Sequence, residues 1–173
     1  MSDRPCVVVV MGVSGAGKST VAAALATDLG WPMLEGDDLH PAANIAKMSV
    51  GHPLTDADRE PWLRDIARWI STRVAADGSA VVTCSALKRS YRDLLRDGVA
   101  DHPDARLIFV YLHGTRAELH RRMAHRKGHF MPASMLDSQL ATLEDPTGEP
   151  GVITLDIDHS PSELAAAAEA ALR

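Results

Sequence analysis

The sequence predicts an α/β fold in which a parallel sheet is covered by helices on both faces. Short apolar runs alternate with longer helical patterns, which is typical of such folds. Four of the five runs are almost continuously apolar, as expected for strands buried on both faces. With 173 residues and no repeat or linker, we expect one domain spanning residues 1–173. The predicted strands are Cys6–Met11, Met33–Glu35, Ala80–Ser85, Arg106–Leu112 and Val152–Ile157.

Helical patterns occupy the segments between these strands. Apolar residues four apart predict a helix over Lys18–Leu29 that ends at Gly30, a residue suited to a left-handed C-terminal turn. A longer apolar stripe predicts a helix over Asp56–Ala76, with a capping box formed by Thr55 and Asp58. The remaining predicted helices are Lys88–Arg96, Thr115–Arg126, Ala133–Leu143 and Pro161–Leu172.

Composition narrows the classes of partner. Aromatic residues make up only 4% of the chain, so the core should be aliphatic. The net charge of −5 argues against a nucleic-acid or anionic-membrane partner. The apolar run Cys6–Met11 is too short to cross a bilayer and no signal peptide is recognised, so we expect a cytoplasmic protein. Cys6 and Cys84 fall at opposite ends of the predicted sheet, so we expect no disulfide between them.

Basic residues are concentrated in one segment of the chain. Residues 88–127 contain ten Lys or Arg against five acidic residues. This asymmetry fits a local anionic ligand, and it also fits helix faces that are simply solvated.

The strongest motif, residues 12–19, matches G-x-x-x-x-G-K-S and lies directly between a predicted buried strand and a predicted helix. Glycines allow backbone N–H groups to surround phosphate oxygens at the positive end of the helix. Lys18 is expected to reach the β- and γ-phosphates, and the Ser19 hydroxyl to bind Mg²⁺. The motif therefore predicts binding of ATP and Mg²⁺. The predicted nucleotide site comprises Gly12, Val13, Ser14, Gly15, Ala16, Gly17, Lys18, Ser19 and Thr20.

Acidic residues follow two of the predicted strands. Ligands bind beyond the carboxyl ends of strands in open α/β sheets, and a kinase needs an acid near the acceptor hydroxyl or the metal. Glu35, Asp37 and Asp38 after the second strand are the leading candidates, and Asp156 and Asp158 at the fifth are the alternative. The third strand ends without an acid, which favours small-molecule and nucleotide kinases over motor or switch ATPases.

A basic helix end followed by a glycine-containing break predicts a lid over about residues 122–135. Arg122 and Arg126 are four residues apart and therefore share a helix face. Their guanidinium groups could stabilise the transferring phosphoryl group or stack on adenine. The alternative is an exposed helix end whose positive charges complement the helix dipole.

Eight further segments carry recognisable motifs, in order over nearly the whole chain: Glu35–Pro41, Asn44–Met48, Gly51–Leu54, Asp58–Leu63, Cys84–Lys88, Tyr91–Asp93, Arg126–Phe130 and Asp156–Asp158. Together with the phosphate loop, they resemble the small bacterial-type gluconokinases. Position 35 is Glu where the family is expected often to have Asp. We therefore assign base chemistry to Asp37 and a supporting role to Glu35.

The resemblance implies a three-layer P-loop fold with strand order 2-3-1-4-5, a substrate-binding helical part at about residues 38–76 and a small lid. It implies ATP-dependent phosphorylation of D-gluconate at the 6-hydroxyl, giving 6-phospho-D-gluconate and ADP, by a homodimer.

The resemblance also assigns roles to individual residues. Lys18, Asp37 and Arg126 are the implied catalytic residues, with Asp37 contacting the acceptor hydroxyl and His40 a sugar hydroxyl. His129 is an implied substrate contact. The candidates for binding the carboxylate or phosphoryl oxygens are Lys47, Arg59, Lys88 and Arg92; sequence does not choose between Arg59 and Arg92 for the carboxylate.

Two other functions compete with this interpretation. The first is phosphorylation of shikimate or a nucleoside monophosphate, although Ser85–Ala86 stands where shikimate kinases have a Gly-Gly pair. The second is a nucleotide-dependent regulatory module without kinase activity, which the acidic groups near the phosphate loop and the basic lid disfavour.

Overall fold

The computed structural model describes residues 4–125 and 134–173. Its centre is a five-stranded parallel sheet in the order β2-β3-β1-β4-β5, which confirms the predicted fold class. The strands are β1 (Cys6–Met11), β2 (Met33–Glu35), β3 (Ala80–Thr83), β4 (Arg106–His113) and β5 (Val152–Asp156).

Helices connect the strands, and short 3₁₀ turns cover Gly36–Leu39 and Asp97–Val99. The helices predicted from periodicity are found within a few residues of their expected ends. The segment 42–49 forms a separate short helix, where the sequence predicted only a helical part of the chain. The α-helices are α1 (Lys18–Leu29), α2 (Ala42–Ser49), α3 (Asp56–Ala75), α4 (Arg89–Arg96), α5 (Arg116–Ala124), α6 (Met135–Thr142) and α7 (Pro161–Leu172).

The core is built around β1, the central strand. Val8 lies opposite Val81 of β3 on one side and Ile108 of β4 on the other. Residues 7–10 of β1 are fully buried. Helix α1 packs against α7 and α3 packs against α4, which gives the helical layers of a three-layer fold. The predicted aliphatic core is confirmed, because β-branched residues dominate these strands.

Helix starts follow the local chemistry of the sequence. Helix α3 begins at the predicted capping box, in which Thr55 Oγ1 accepts from Asp58 N and Asp58 Oδ2 accepts from Thr55 N. Helix α1 begins differently, at Gly17 with φ 90°, without a side-chain cap and without an acidic residue in its first turn. An acid there would repel an anion at the positive end of the helix, so this start suits a phosphate.

Cys6 and Cys84 are both buried, free thiols. In the described part of the chain, no helix is long and apolar enough to cross a membrane.

Candidate active site

A cavity of about 290 Å³ lies at the carboxyl ends of β1, β2 and β3. One side is the glycine-rich loop with the start of α1, and the other comprises the turn after β2 together with parts of α2 and α3. It therefore brings predicted nucleotide-binding and substrate-binding residues together. The lining residues are Ser14, Gly15, Gly17, Lys18, Ser19, Thr20, Glu35, Asp37, His40, Met48, Leu54, Arg59, Trp62, Ser85, Arg122 and Gln139.

The glycine-rich loop curls around the start of α1. Lys18 Nζ donates to the carbonyl oxygens of Gly12 (3.1 Å) and Val13 (3.2 Å), so the side chain folds back across the loop. Arg122 lies close to the loop: its Nη1 is 3.7 Å from the position that a Cβ on Gly17 would occupy. The guanidinium of Arg122 is held by Glu118 and by the carbonyl oxygen of Ile157. Two cations thus flank the loop, as phosphate binding requires.

The hydroxyl of Ser19 is held by a carboxylate from the end of β2. Ser19 Oγ donates to Glu35 Oε1 at 2.9 Å, and Thr83 Oγ1 donates to the same oxygen. Gly36 N in turn donates to Thr83 Oγ1 (3.1 Å). A hydroxyl beside a carboxylate is a hard-oxygen pair that suits Mg²⁺, so these residues fit the predicted metal site. Sequence reasoning missed Thr83, whose position in a buried strand gives no functional signal.

Asp37 is placed by a tightly packed turn. A Cβ on Gly36 would lie 2.0 Å from the carbonyl oxygen of Thr83, so only glycine fits at this position. Trp62 Nε1 donates to the carbonyl oxygen of Gly36 at 2.8 Å and fixes the turn from the α3 side. Asp37 then lines the cavity, whereas Asp38 is exposed and does not.

His40 is buried against the substrate side of the cavity. Its ring stacks on Trp62 with centroids 4.0 Å apart and an interplanar angle of 16°. Its Nδ1 lies 3.2 Å from Asn44 Nδ2, and its Nε2 lies 3.7 Å from Asp37 Oδ1. Burial, followed by the positive charge of Arg59, lowers the pKa of His40 to about 4. The imidazole is therefore neutral near pH 7. Trp62 is buried in the core and also lines the cavity.

Arg59 is the described cation on the substrate side of the cavity. It is 6% exposed, and its Nη1 donates to Tyr91 Oη at 2.9 Å. Tyr91 Oη donates to Asp56 Oδ1, which also accepts from Lys88 Nζ at 3.0 Å. The phenol of Tyr91 has a raised pKa because it is buried and because it donates to Asp56. This chain of contacts fixes the guanidinium of Arg59 while one edge stays in the cavity.

The two lysines predicted as substrate contacts are paired elsewhere. Lys47 Nζ donates to Asp58 Oδ2 at 2.6 Å and lowers the pKa of that carboxyl to about 2. Lys88 is paired with Asp56, as described above. Neither lysine lines the cavity.

The structure does not bring Arg92 to the cavity either. Its side chain is fully buried, with Nη2 2.5 Å from Glu149 Oε2 and Nε 3.1 Å from Glu149 Oε1. Nη1 donates to the carbonyl oxygen of Ala86, and Nη2 also to that of Glu144. These bonds use the guanidinium to join α4 to the segment before β5. Of the two arginines that sequence could not separate, Arg59 is the one in the cavity.

Other predicted residues lie outside the cavity or outside the described residues. Asp156 and Asp158 do not line the cavity, so the structure does not support them as an alternative source of the acid. Arg126 and His129 lie outside the described residues, as does most of the predicted lid. In residues 4–125 and 134–173, no three or more His, Cys, Asp or Glu side chains form a cluster suited to a metal.

One contact with the glycine-rich loop was not predicted. Gln139 of α6 accepts through Oε1 from Ser14 N (2.8 Å) and Ser14 Oγ (3.1 Å). A glutamine on a short helix far along the chain carries no sequence signal for this contact.

Known proteins resemble this chain over most of its length. A family model described as an AAA domain matches residues 7–146. A gluconokinase of Gluconobacter oxydans (strain 621H) is 53% identical over 161 residues, covering 93% of this chain and 88% of that protein. The crystal structure of a gluconokinase from Sinorhizobium meliloti 1021 is 50% identical, with a TM-score of 0.82 and coverage of 98% of this chain and 94% of that one.

An unliganded sugar kinase from Janibacter sp. HTCC2649 has a TM-score of 0.88 at 45% identity, covering 97% of this chain and 94% of that one. Because these matches cover nearly the whole chain at about half identity and the sheet order agrees with the prediction, the chain belongs to the gluconokinase family of P-loop kinases.

Proposed function

We propose that this protein transfers the γ-phosphoryl group of ATP to the 6-hydroxyl of D-gluconate, giving 6-phospho-D-gluconate and ADP. The observation that carries the proposal is one cavity that holds Lys18 of the glycine-rich loop, the carboxylate of Asp37 and the buried guanidinium of Arg59. The gluconokinases of similar sequence support the same acceptor.

Gluconate presents one carboxylate and several hydroxyl groups. Arg59 suits the carboxylate, because a guanidinium can bind both carboxylate oxygens and because burial keeps water from competing. Its hydrogen bond to Tyr91 leaves other N–H donors for a ligand. His40 and Asp37 provide neutral and charged polar groups for hydroxyls.

The nucleotide side uses Lys18 and the backbone of the glycine-rich loop for the phosphates. Ser19, held by Glu35, would bind Mg²⁺, with Glu35 positioned to accept from water in the metal's coordination shell. When bound, the metal ion neutralises charge on the phosphate oxygens.

Asp37 orients the acceptor alcohol and takes its proton. The O6 of gluconate forms a bond to the γ-phosphorus, the bond from that phosphorus to the bridging oxygen breaks, and ADP leaves with the bond electrons. The hydroxyl proton passes to Asp37 and from there to solvent. A loose transition state depends on aiming the alcohol, which a fixed carboxylate accomplishes.

Arg122 lies beside Gly17 and is the described arginine suited to the phosphoryl oxygens. Arg126 and His129 complete the proposal as a phosphoryl contact and a substrate contact, in a lid over about residues 122–135. The resemblance to gluconokinases implies a homodimer, and the net charge of −5 argues against a membrane or nucleic-acid partner. We propose that this homodimer is cytoplasmic.

A coupled assay of ADP release over a panel of acceptors tests the proposal. The panel contains gluconate, other sugar acids, shikimate and nucleoside monophosphates, each with ATP and Mg²⁺. We expect gluconate to have the highest kcat/KM, since Arg59 and Asp37 match its carboxylate and hydroxyl. Preference for shikimate or a nucleotide would assign the chain to another kinase activity, and ATP binding without ADP release would make it a regulatory module.

A further inference from the structure

Asn44 is a buried polar residue that none of the predicted roles uses. It lies on α2, is 5% exposed, and is placed between His40 and the first turn of α3. A buried amide is costly unless its hydrogen bonds are satisfied, so its partners explain why it is there.

The two contacts of Asn44 Nδ2 fix which way the amide faces. One is to the carbonyl oxygen of Asp58 at 3.0 Å, which can only accept, so the atom facing it must be the nitrogen. The second is to His40 Nδ1 at 3.2 Å. Because Nδ2 is a donor, Nδ1 of His40 must accept, and a neutral imidazole that accepts at Nδ1 carries its proton on Nε2.

The surroundings of His40 favour the neutral ring in one orientation. Trp62 stacks against one face and so limits rotation of the ring. The charged groups that face it are Asp37, with Oδ1 3.7 Å from Nε2, and Arg59, whose positive charge opposes protonation. Burial and the charge of Arg59 both lower the pKa of His40, so the ring is neutral near pH 7.

We propose that Asn44 is a positioning residue that sets the tautomer of His40, so that Nε2–H donates a hydrogen bond to a hydroxyl of the acceptor. This rests on the proposed function, in which His40 contacts a sugar hydroxyl. A hydroxyl oxygen at about 2.8 Å from both Nε2 and Asp37 Oδ1 fits the 3.7 Å between them. It would accept from His40 and donate to Asp37, so the pair is complementary to a hydroxyl and not to a carbonyl oxygen, which only accepts.

The tautomer is directly measurable in the protein without substrate. In a long-range ¹H–¹⁵N correlation spectrum of ¹⁵N-labelled protein, assigned with His40→Gln, the His40 signals report which nitrogen is protonated. We expect a protonated Nε2 and an unprotonated Nδ1 from pH 6 to pH 8. A proton on Nδ1, or a doubly protonated ring at pH 7, would overturn the proposal. This NMR measurement needs no gluconate. A wrong tautomer assignment can therefore be distinguished from a wrong proposed function.

Asn44→Asp tests the consequence for the substrate. Its carboxylate can only accept, so it favours a proton on His40 Nδ1, and the neutral ring then has no donor at Nε2. We expect KM for gluconate to rise about 5- to 10-fold, the loss of roughly one hydrogen bond, with KM for ATP unchanged. The same spectrum should show the changed protonation of His40, and circular dichroism checks that the variant folds.

His40→Gln supplies the matched background. Glutamine can place an N–H donor near the Nε2 position and has no tautomer to set. Asn44→Asp should therefore raise KM for gluconate much less in His40→Gln than in the wild-type background. Equal effects in both backgrounds, or an unchanged KM in Asn44→Asp alone, would show that Asn44 does not act through His40.

Discussion

The cavity has two sides that are constructed in different ways. The nucleotide wall, residues 12–20, is one continuous segment that uses backbone N–H groups and the start of α1. The substrate wall, comprising Asp37, His40, Arg59 and Trp62, takes residues from a 3₁₀ turn, the residue after it and α3. Three of these side chains have a partner distant in sequence, since His40 stacks on Trp62, Trp62 donates to Gly36 and Arg59 donates to Tyr91. One motif therefore encodes most of the nucleotide wall, although Gln139 and Glu35 also hold Ser14 and Ser19, whereas the substrate wall is a product of tertiary packing.

This difference predicts how the two walls respond to substitution. A substitution in one wall should change affinity for the ligand of that wall and leave affinity for the other ligand nearly unchanged. The reason is that the free-energy effects of substitutions are independent unless the residues share partners. Glu35 is the exception, since it contacts Ser19 of the nucleotide wall and also Thr83, which binds Gly36 in the turn before Asp37.

The largest effect is expected for Asp37→Asn in the substrate wall. The variant keeps the size of the side chain but loses the proton acceptor, so kcat with gluconate should fall about 10²–10⁴-fold. ATP affinity, measured by calorimetry, should stay nearly unchanged.

Asp38→Asn is the matched control, because Asp38 is adjacent but exposed and does not line the cavity. It should retain most of the activity at saturating ATP. If Asp38→Asn is the inactive variant, the acid has been assigned to the wrong residue. If both variants are active, the base must be a different group, and Glu35 is a further carboxylate that lines the cavity.

The next largest effect is expected for Lys18→Met in the nucleotide wall. Lys18 supplies a positive charge that matters most as charge develops on the transferring phosphoryl group, so kcat should fall about 10²-fold or more. The fold should survive, because the ammonium donates to the carbonyl oxygens of Gly12 and Val13 in its own loop. Steady-state kinetics measures kcat, and thermal unfolding checks that the variant is folded. Near wild-type turnover in the purified variant would contradict the assignment of the loop.

The smallest effects are expected for Arg59 and Arg92, the two arginines that the sequence could not distinguish. Arg59→Lys loses the two-pronged geometry for a carboxylate, so KM for gluconate should rise about tenfold with a smaller change in kcat. Arg92→Lys should leave KM unchanged and lower the unfolding temperature, because Glu149 is left with fewer hydrogen bonds in a buried pair. Kinetics and thermal unfolding of both variants make the comparison. A raised KM in Arg92→Lys alone would reverse the two roles.

Sequence correctly predicted that the glycine-rich loop lies between β1 and α1, because an eight-residue motif encodes its backbone conformation. It also predicted the sheet, since strands buried on both faces have a distinctive apolar pattern. It could not select among four basic residues on the substrate side, because each basic side chain can equally form an ion pair. Arg92 forms an ion pair with Glu149, which is 57 residues later in the sequence, and only the tertiary structure reveals that pairing. Thr83 and Gln139 were missed for the same reason, since each contacts a residue brought near by folding. Asn44 lies only four residues from His40, but the burial of both side chains is not evident from the sequence.

The close approach of Gly36 to Thr83 has a consequence for redesigning the acceptor specificity of this enzyme. No side chain fits at position 36, where a Cβ would lie 2.0 Å from a carbonyl oxygen. Gly36, Thr83 and Trp62 together form a frame that directed evolution must leave intact. Variation is better confined to His40 and Arg59, whose side chains line the cavity and make no described hydrogen bond to the turn. A library restricted in this way changes which acceptor is bound while Asp37 keeps its place.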